Sequence, residues 1–188
     1  MIANFTCPAM KPPLLFSPVR LGVLALSLAA DASLRESGLR ERGTLARLDQ
    51  AVEGAGCSWL LKSAAALALA PALGEELFFR GLLQRSLEVR LGPGFAIPLA
   101  SLAFAAVHGD AVHALAAFVL GLYLGAVAYL SASVRGAILC HAANNLAAVG
   151  FGASGLGDLS LPSAAIPALL ALAVAALRVA RRAAARAR

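Results

Sequence analysis

Ionisable and carboxamide side chains stand at helical spacing inside stretches of this chain that are otherwise apolar. Glu75, Glu76 and Arg80 occur in one such stretch, and His141, Asn144 and Asn145 occur in a later one. Side chains four positions apart project from the same face of an α-helix. Glu76 and Arg80 are therefore expected to form an ion pair, whereas Glu75, rotated by about 100° from Glu76, has no cation nearby in the sequence.

These residue types are suited to hydrolysis by an activated water molecule. A carboxylate without a counter-charge, as expected for Glu75, is suited to accept a proton from water. His141 and Asn145 can together donate hydrogen bonds to one developing oxyanion or hold a metal ion. His108 ends a further apolar stretch and is expected to orient the same water. Three helices are thus predicted to converge on one site.

The elements that position these residues are predicted to lie in a membrane. The chain has 188 residues, of which 60% are hydrophobic and only 14% are charged, whereas an ordinary soluble domain has about 25% charged residues. Between residues 91 and 177 the only formal charges are Asp110, Arg135 and Asp158. Composition therefore predicts an all-α, polytopic transmembrane bundle of about six helices. Ionisable groups inside such a bundle are functional candidates, although each one alone is equally explained as a polar contact between helices.

The predicted helices divide the chain into three parts. Apolar stretches of helical pattern occur at 14–30, 59–90, 95–107, 112–130, 134–149 and 161–177. Residues 1–58 are interpreted as a first apolar segment and a polar loop with a short surface helix. Residues 59–150 are interpreted as the catalytic membrane core, and residues 151–188 as a loop, a last transmembrane helix and a basic tail.

The orientation of the chain is predicted from its arginines. Five of the sixteen basic residues fall in the last eleven positions, directly after an apolar run, which is typical of the cytoplasmic end of a membrane helix rather than of nucleic-acid binding. We therefore expect an integral protein of the bacterial inner membrane with a cytoplasmic C-terminus. Ala30-Asp31-Ala32 also has the form of a signal-peptidase site, but the weakly basic region before it favours a retained first helix.

Three motifs bring the polar residues together in a known order. Glu75–Arg80 has the pattern EExxxR, Phe104–His108 has FxxxH, and His141–Asn145 has HxxxN. Over residues 59–149 the chain resembles the CPBP family of intramembrane glutamic endopeptidases, also called Abi, which includes CAAX prenyl proteases and bacteriocin-processing enzymes. The resemblance implies hydrolysis of a membrane-associated protein or peptide substrate within the lipid bilayer.

The resemblance also implies a role for each motif residue. Glu75 and His108 would activate a water molecule, and His141 and Asn145 would form the oxyanion hole. Glu76 and Arg80 would be structural support. No cofactor is expected. The alternative is a divalent metal ion held by Glu75, His108 and His141, which is a chemically adequate set of ligands.

Other protein classes leave weaker signals. Gly152–Gly155 matches the GxSG of rhomboid proteases, but no histidine follows His141 to serve as base. Gly155–Asp158 matches the GxGD of presenilin-type proteases, but a second catalytic aspartate has no candidate in a preceding helix. We therefore interpret residues 150–160 as a loop and His113 as an interfacial residue. A small transporter and a non-catalytic immunity or scaffold protein of the same fold remain alternatives to a protease.

Overall fold

The computed structural model describes residues 18–42, 44–53, 56–154 and 161–186, and within these ranges it contains helices and turns but no strand. This confirms the all-α class. In chain order the α-helices are α1 (Pro18–Glu36), α2 (Thr44–Val52), α3 (Cys57–Ser63), α4 (Ala70–Glu76), α5 (Arg85–Leu91), α6 (Pro93–Ala106), α7 (Ala111–Ser131), α8 (Val134–Ala153) and α9 (Ile166–Ala185). Short 3-10 turns occur at Arg40–Arg42 and Ser163–Ala165.

Helices α3, α4 and α5 form one continuous rod. They are joined by two π-helical stretches, Ala64–Leu69 and Leu77–Gln84, so that residues 57–91 are helical throughout. Counted in this way the described chain has seven helices rather than about six, because the polar segment contributes α2. π-Helical winding is rare and is concentrated at functional sites. Here the two π-helical stretches lie on either side of α4, which carries Glu75 and Glu76.

Helix α1 extends further than the apolar pattern predicts. The pattern ends near residue 30, but the helix continues to Glu36. An ion pair one turn apart supports its last turns, with Arg35 Nε 2.7 Å from Asp31 Oδ2. The possible signal-peptidase site lies inside this helix, where Ala29 and Ala32 are buried. These residues thus belong to the packed bundle, and retention of the first helix stays a prediction.

Close approach between helices depends on glycines. A Cβ atom added to Gly22 of α1 would lie 2.2 Å from the Tyr123 hydroxyl and 2.6 Å from the Ala176 Cβ. Because the glycine leaves this space open, α1 packs tightly against α7 and α9, and Tyr123 donates a hydrogen bond of 2.8 Å to the Val19 carbonyl. Small residues at helix interfaces serve the same purpose in membrane bundles generally.

The turns that begin helices α7 and α8 are capped by side chains. Asp110 accepts hydrogen bonds from the backbone N–H groups of Val112 and His113 at the start of α7, and Ser133 caps α8 in the same way. Gly109 precedes the first cap with a φ of +74°, which glycine adopts without strain. The chain can therefore reverse sharply between α6 and α7, immediately after His108.

The predicted loop at residues 150–160 is wrong at its beginning. Helix α8 continues through Gly150 and Gly152 to Ala153, since a glycine inside a helix costs only about 1 kcal/mol and packing can offset that cost. Gly152 is buried. The rhomboid-like GxSG pattern therefore begins in a helix, and residues 155–160, with the GxGD pattern, lie outside the described residues.

Large parts of the outer surface of the bundle are apolar. The stretches Ala111–Ser131 and Ser163–Ala185 are each long and apolar enough to cross a membrane, and α6 is apolar but shorter. Large apolar side chains also face outward from the rod at 57–91 and from α6; examples are Trp59, Leu73, Phe78, Phe95 and Leu102. These features fit a polytopic transmembrane bundle.

Candidate active site

A buried ion pair forms the foundation of the candidate site. Arg80 Nη1 lies 2.8 Å from Glu76 Oε1, and neither side chain is exposed. The i, i+4 spacing predicted this pair, and the structure contains it. The same carboxylate oxygen lies 2.9 Å from Nδ1 of His141 on α8. Glu76 therefore holds a catalytic candidate from another helix in addition to Arg80.

Helix α7 and an aromatic ring complete the surroundings of Arg80. Arg80 Nη2 donates a 3.1 Å hydrogen bond to the Gly121 carbonyl, and the guanidinium lies 4.3 Å from the centre of the Phe104 ring. A Cβ atom at Gly121 would lie 3.2 Å from Nη2, so glycine leaves the room for this contact. One helical turn further along both helices, Gln84 Nε2 donates to the Gly125 carbonyl at 3.1 Å.

Glu75 faces the opposite side of His141. Its Oε2 atom lies 3.9 Å from His141 Nε2, and 31% of its side chain is exposed, compared with 4% for His141. The imidazole of His141 is thus held at Nδ1 by one buried carboxylate and faced at Nε2 by a second, more accessible one. This arrangement follows from two adjacent glutamates projecting in different directions from the rod.

The motif residue Phe104 connects the two histidines. Its ring is fully buried and makes edge contacts with His108 and His141, at centroid distances of 4.9 Å and 5.7 Å. His108 Nδ1 lies 2.8 Å from the Phe104 carbonyl oxygen. A carbonyl only accepts hydrogen bonds, so Nδ1 carries the proton, and in the neutral ring Nε2 offers a lone pair.

Asn145 is held by a carbonyl that a proline leaves available. Its Nδ2 donates to the Leu67 carbonyl at 3.4 Å. In a regular α-helix that carbonyl would accept from residue 71, but Pro71 has no N–H group. The π-helical stretch Ala64–Leu69 lies at the same place. One N–H bond of the Asn145 amide is used in this contact, and the other remains for a ligand.

A single cavity joins the four predicted catalytic residues. Its volume is about 640 Å³, and its lining includes Glu75, His108, His141 and Asn145. Apolar side chains from α1, α2 and α8 provide most of the remaining wall, including Leu24, Leu28, Leu45, Leu48 and Val149. The cavity therefore offers a largely apolar binding space that contains the polar residues of the candidate site, and Asp31, Arg35 and Arg40 also contribute to its lining.

Sequence reasoning missed a polar cluster beside His108. His113, which was predicted to be interfacial, lines the cavity, and its ring contacts that of His108 at a centroid distance of 4.4 Å. Thr44 of α2 donates its only hydroxyl proton to Asp110 Oδ2 at 2.6 Å. The same hydroxyl oxygen lies 3.1 Å from His113 Nδ1. Because the hydroxyl has no second proton, Nδ1 must be the donor in this contact. The hydrogen bonds from Thr44 lower the pKa of Asp110, and the bond from the hydroxyl has a larger effect than the bond from the backbone N–H.

Ser27 of α1 was also missed, and Asn144 of α8, although a candidate from its polar side chain, had no predicted role. Ser27 Oγ donates to Asn144 Oδ1, and Asn144 Nδ2 lies 3.2 Å from Asn145 Oδ1. A signal for Asn144 was present, since it is a second carboxamide directly beside the HxxxN asparagine. Nothing in the sequence connects Ser27 to a residue so distant in the chain.

The suggested metal ligands do not form a ready-made metal site. Within the described ranges, no group of three or more His, Cys, Asp or Glu side chains is arranged to hold a metal ion. The Nδ1 atoms of His108 and His141 are both engaged in hydrogen bonds within the protein, which is compatible with a metal ligand at Nε2 and does not argue against one. Metal-independent activity stays a prediction, tested below by chelation.

Comparison with known proteins gives one match. Residues 57–147 match the family model described as type II CAAX prenyl endopeptidase, Rce1-like. This range begins with α3 and includes all three motifs, and it leaves α1, α2 and α9 outside. Searches of curated proteins and of solved structures found no match to the chain.

Proposed function

We propose, from the premise that residues 57–147 belong to the Rce1-like family of type II CAAX prenyl endopeptidases, that this protein is an intramembrane endopeptidase. Its substrate is a membrane-associated protein or peptide. The observation that carries the proposal is His141 held between Glu76 and Glu75, in a cavity that His108 and Asn145 also line. The same region would need no such convergence of polar groups to act as a scaffold.

In this proposal Glu75 is the general base. It is the more accessible of the two adjacent carboxylates, and Glu76 is already bound to Arg80 and His141. Glu75 takes a proton from water as the water oxygen attacks the peptide carbonyl carbon. His108 orients this water through Nε2. When the carbon–nitrogen bond breaks, Glu75 returns the proton to the leaving amine.

His141 and Asn145 stabilise the oxyanion that forms during the attack. Glu76 accepts from His141 Nδ1, so His141 donates to an oxyanion only when Nε2 also carries a proton. An imidazolium at His141 balances the charges of the cluster, since Glu75 and Glu76 are then matched by Arg80 and His141. Buried clusters of zero net charge are the least costly. Asn145 donates its second N–H bond to the same oxygen.

The apolar wall and the lipid-facing surface define the class of substrate. A cavity lined by leucines suits an apolar peptide segment, or a lipid group attached to one, presented from within the bilayer. We place the protein in the bacterial inner membrane with its C-terminal arginines in the cytoplasm, on the basis of the distribution of basic residues. We propose that neither a metal nor an organic cofactor takes part.

Cleavage by purified protein tests this function. Wild-type protein in liposomes is expected to cut membrane-anchored peptides, and mass spectrometry would identify a new N-terminus. The His108→Ala variant should lose most of this cleavage while retaining its fold, since misplacing a reacting group by about 1 Å can lower the rate about 10²-fold. If wild type and His108→Ala release the same fragments at the same rate, His108 has no part in the cleavage and the proposed site is wrong. If no peptide from a broad panel is cut, the scaffold alternative is preferred.

A further inference from the structure

A chain of hydrogen bonds runs from α1 to the carboxamide that we place in the oxyanion hole. It consists of Ser27, Asn144, Asn145 and the Leu67 carbonyl, in that order. Ser27 lies 117 positions before Asn144 and outside the family-matched range, which begins at residue 57. The contact is therefore a feature of the assembled bundle and not of the three motifs.

The direction of every hydrogen bond in this chain is fixed at its Leu67 end. A backbone carbonyl only accepts, so Asn145 must turn Nδ2 toward it and Oδ1 toward Asn144. Asn144 must then present Nδ2 to Asn145 and Oδ1 to Ser27. The Ser27 hydroxyl, which can donate or accept, must donate. Reversing either carboxamide would bring two acceptors or two donors face to face, so only one arrangement satisfies all members.

We infer that Ser27 and Asn144 are positioning residues for Asn145. They hold the Asn145 carboxamide in the orientation that leaves its second N–H bond directed at the cavity it lines. Without the Ser27 hydroxyl, Asn144 Oδ1 loses its donor and the amide is free to rotate. Asn145 then loses the partner that fixes its oxygen. This inference rests on the proposed function, and it assigns α1 a role in positioning an active-site residue.

The test is a double-mutant cycle in the peptide cleavage assay. Ser27→Ala is expected to lower kcat by about 10-fold with KM within about twofold of wild type, because a small misplacement of an oxyanion donor affects the transition state more than substrate binding. In an Asn145→Ala background the same substitution is expected to have no further effect, since the group it positions is absent. Ser27→Thr retains the hydroxyl and is expected to restore most of kcat.

A matched control is available on the same helix. The Ser33 hydroxyl donates a hydrogen bond of 2.8 Å to the Ala29 carbonyl of its own helix. Ser33→Ala removes a hydroxyl from α1 without affecting the chain to Asn145, so it should leave kcat unchanged. Asn144→Asp provides a second route if Ser27→Ala does not fold, because it keeps the acceptor for Ser27 but removes the donor to Asn145. It should lower kcat in the wild-type background and not in the Asn145→Ala background.

The outcomes separate this inference from the proposed function. An unchanged kcat in Ser27→Ala, or an equal loss in both backgrounds, would overturn the positioning role while leaving the endopeptidase intact. If instead Asn145→Ala and Glu75→Gln both cleave as fast as wild type, the proposed function itself is wrong.

Discussion

Replacing Glu76 by glutamine should damage the protein in two separable ways. The substitution preserves the size of the side chain but removes the negative charge that pairs with Arg80, where both partners are fully buried. Breaking a buried pair by neutralising one partner costs about 3–5 kcal/mol, because the remaining charge is left uncompensated. The Phe104 ring and the Gly121 carbonyl stay in contact with Arg80, so we expect a value at the lower end, about 3 kcal/mol.

The second effect is on His141. A glutamine oxygen can still accept from Nδ1, but it no longer stabilises an imidazolium. Turnover of Glu76→Gln is therefore expected to fall about 10²-fold even in protein that remains folded, as for removal of one oxyanion donor. Adding Arg80→Met removes the uncompensated charge and should recover part of the lost stability. It should not recover turnover, because His141 still lacks its carboxylate.

Reversible unfolding in mixed micelles, followed by circular dichroism, measures the stability, and cleavage of a membrane-anchored peptide measures turnover. Glu88→Gln is the matched control, since Glu88 lies on the same rod and its side chain accepts a hydrogen bond from Gln84. The free energy of unfolding of this variant should differ from that of wild type by less than about 1 kcal/mol. A Glu76→Gln variant as stable as the Glu88→Gln control would refute the assignment of Glu76 and Arg80 as a supporting pair.

Three further predictions concern the oxyanion hole, metal dependence and pH. Asn145→Ala should lower kcat by about 10²-fold or more with little change in KM, and an effect confined to KM would argue against transition-state stabilisation. EDTA or phenanthroline should leave cleavage nearly intact; inactivation that stoichiometric zinc reverses would instead make Glu75, His108 and His141 metal ligands. Hydrogen bonds from Thr44 lower the pKa of Asp110 in the folded protein. The Asp110 carboxylate therefore contributes fully to stability above the ordinary carboxyl pKa of about 3.9. This contribution is lost as the pH falls toward the lower pKa of the folded protein. The difference in unfolding free energy between wild type and Asp110→Asn should thus be constant from pH 7 to 5 and shrink below about pH 4, and a difference that stays constant at low pH would contradict the link to Thr44.

Much of the site could be predicted because it depends on local spacing. The Glu76–Arg80 pair follows from i, i+4 geometry, and the apolar setting marks His108 and His141 as unusual. Helical periodicity also indicated that Glu75 and Glu76 diverge. What spacing does not contain is the partner across the bundle, so the bond from Glu76 to His141 was not foreseen.

The remaining features depend on contacts between distant segments. Composition indicates only that the segment of Ser27 is apolar and that the segment of Thr44 is polar. Their hydrogen-bond partners, Asn144 and Asp110, are far away in the sequence and come close only when α1 and α2 pack in the bundle. The π-helical stretch before Pro71 lies where the proline lacks a backbone N–H group, and Asn145 of α8 donates to the Leu67 carbonyl there. The end of α8 was misplaced because glycine was taken as a helix terminator, whereas Gly152 is buried within the helix.

The central claim, that Glu75 activates the hydrolytic water, is tested most directly by the single-turnover cleavage rate of Glu75→Gln. Glutamine keeps the volume and a hydrogen-bonding oxygen but cannot accept the proton from water. The account predicts a loss of at least about 10²-fold, with folding and peptide binding unchanged and with the Glu88→Gln control cleaving at the wild-type rate. A Glu75→Gln variant that is folded, binds the peptide and cleaves within a few-fold of the wild-type rate would contradict it.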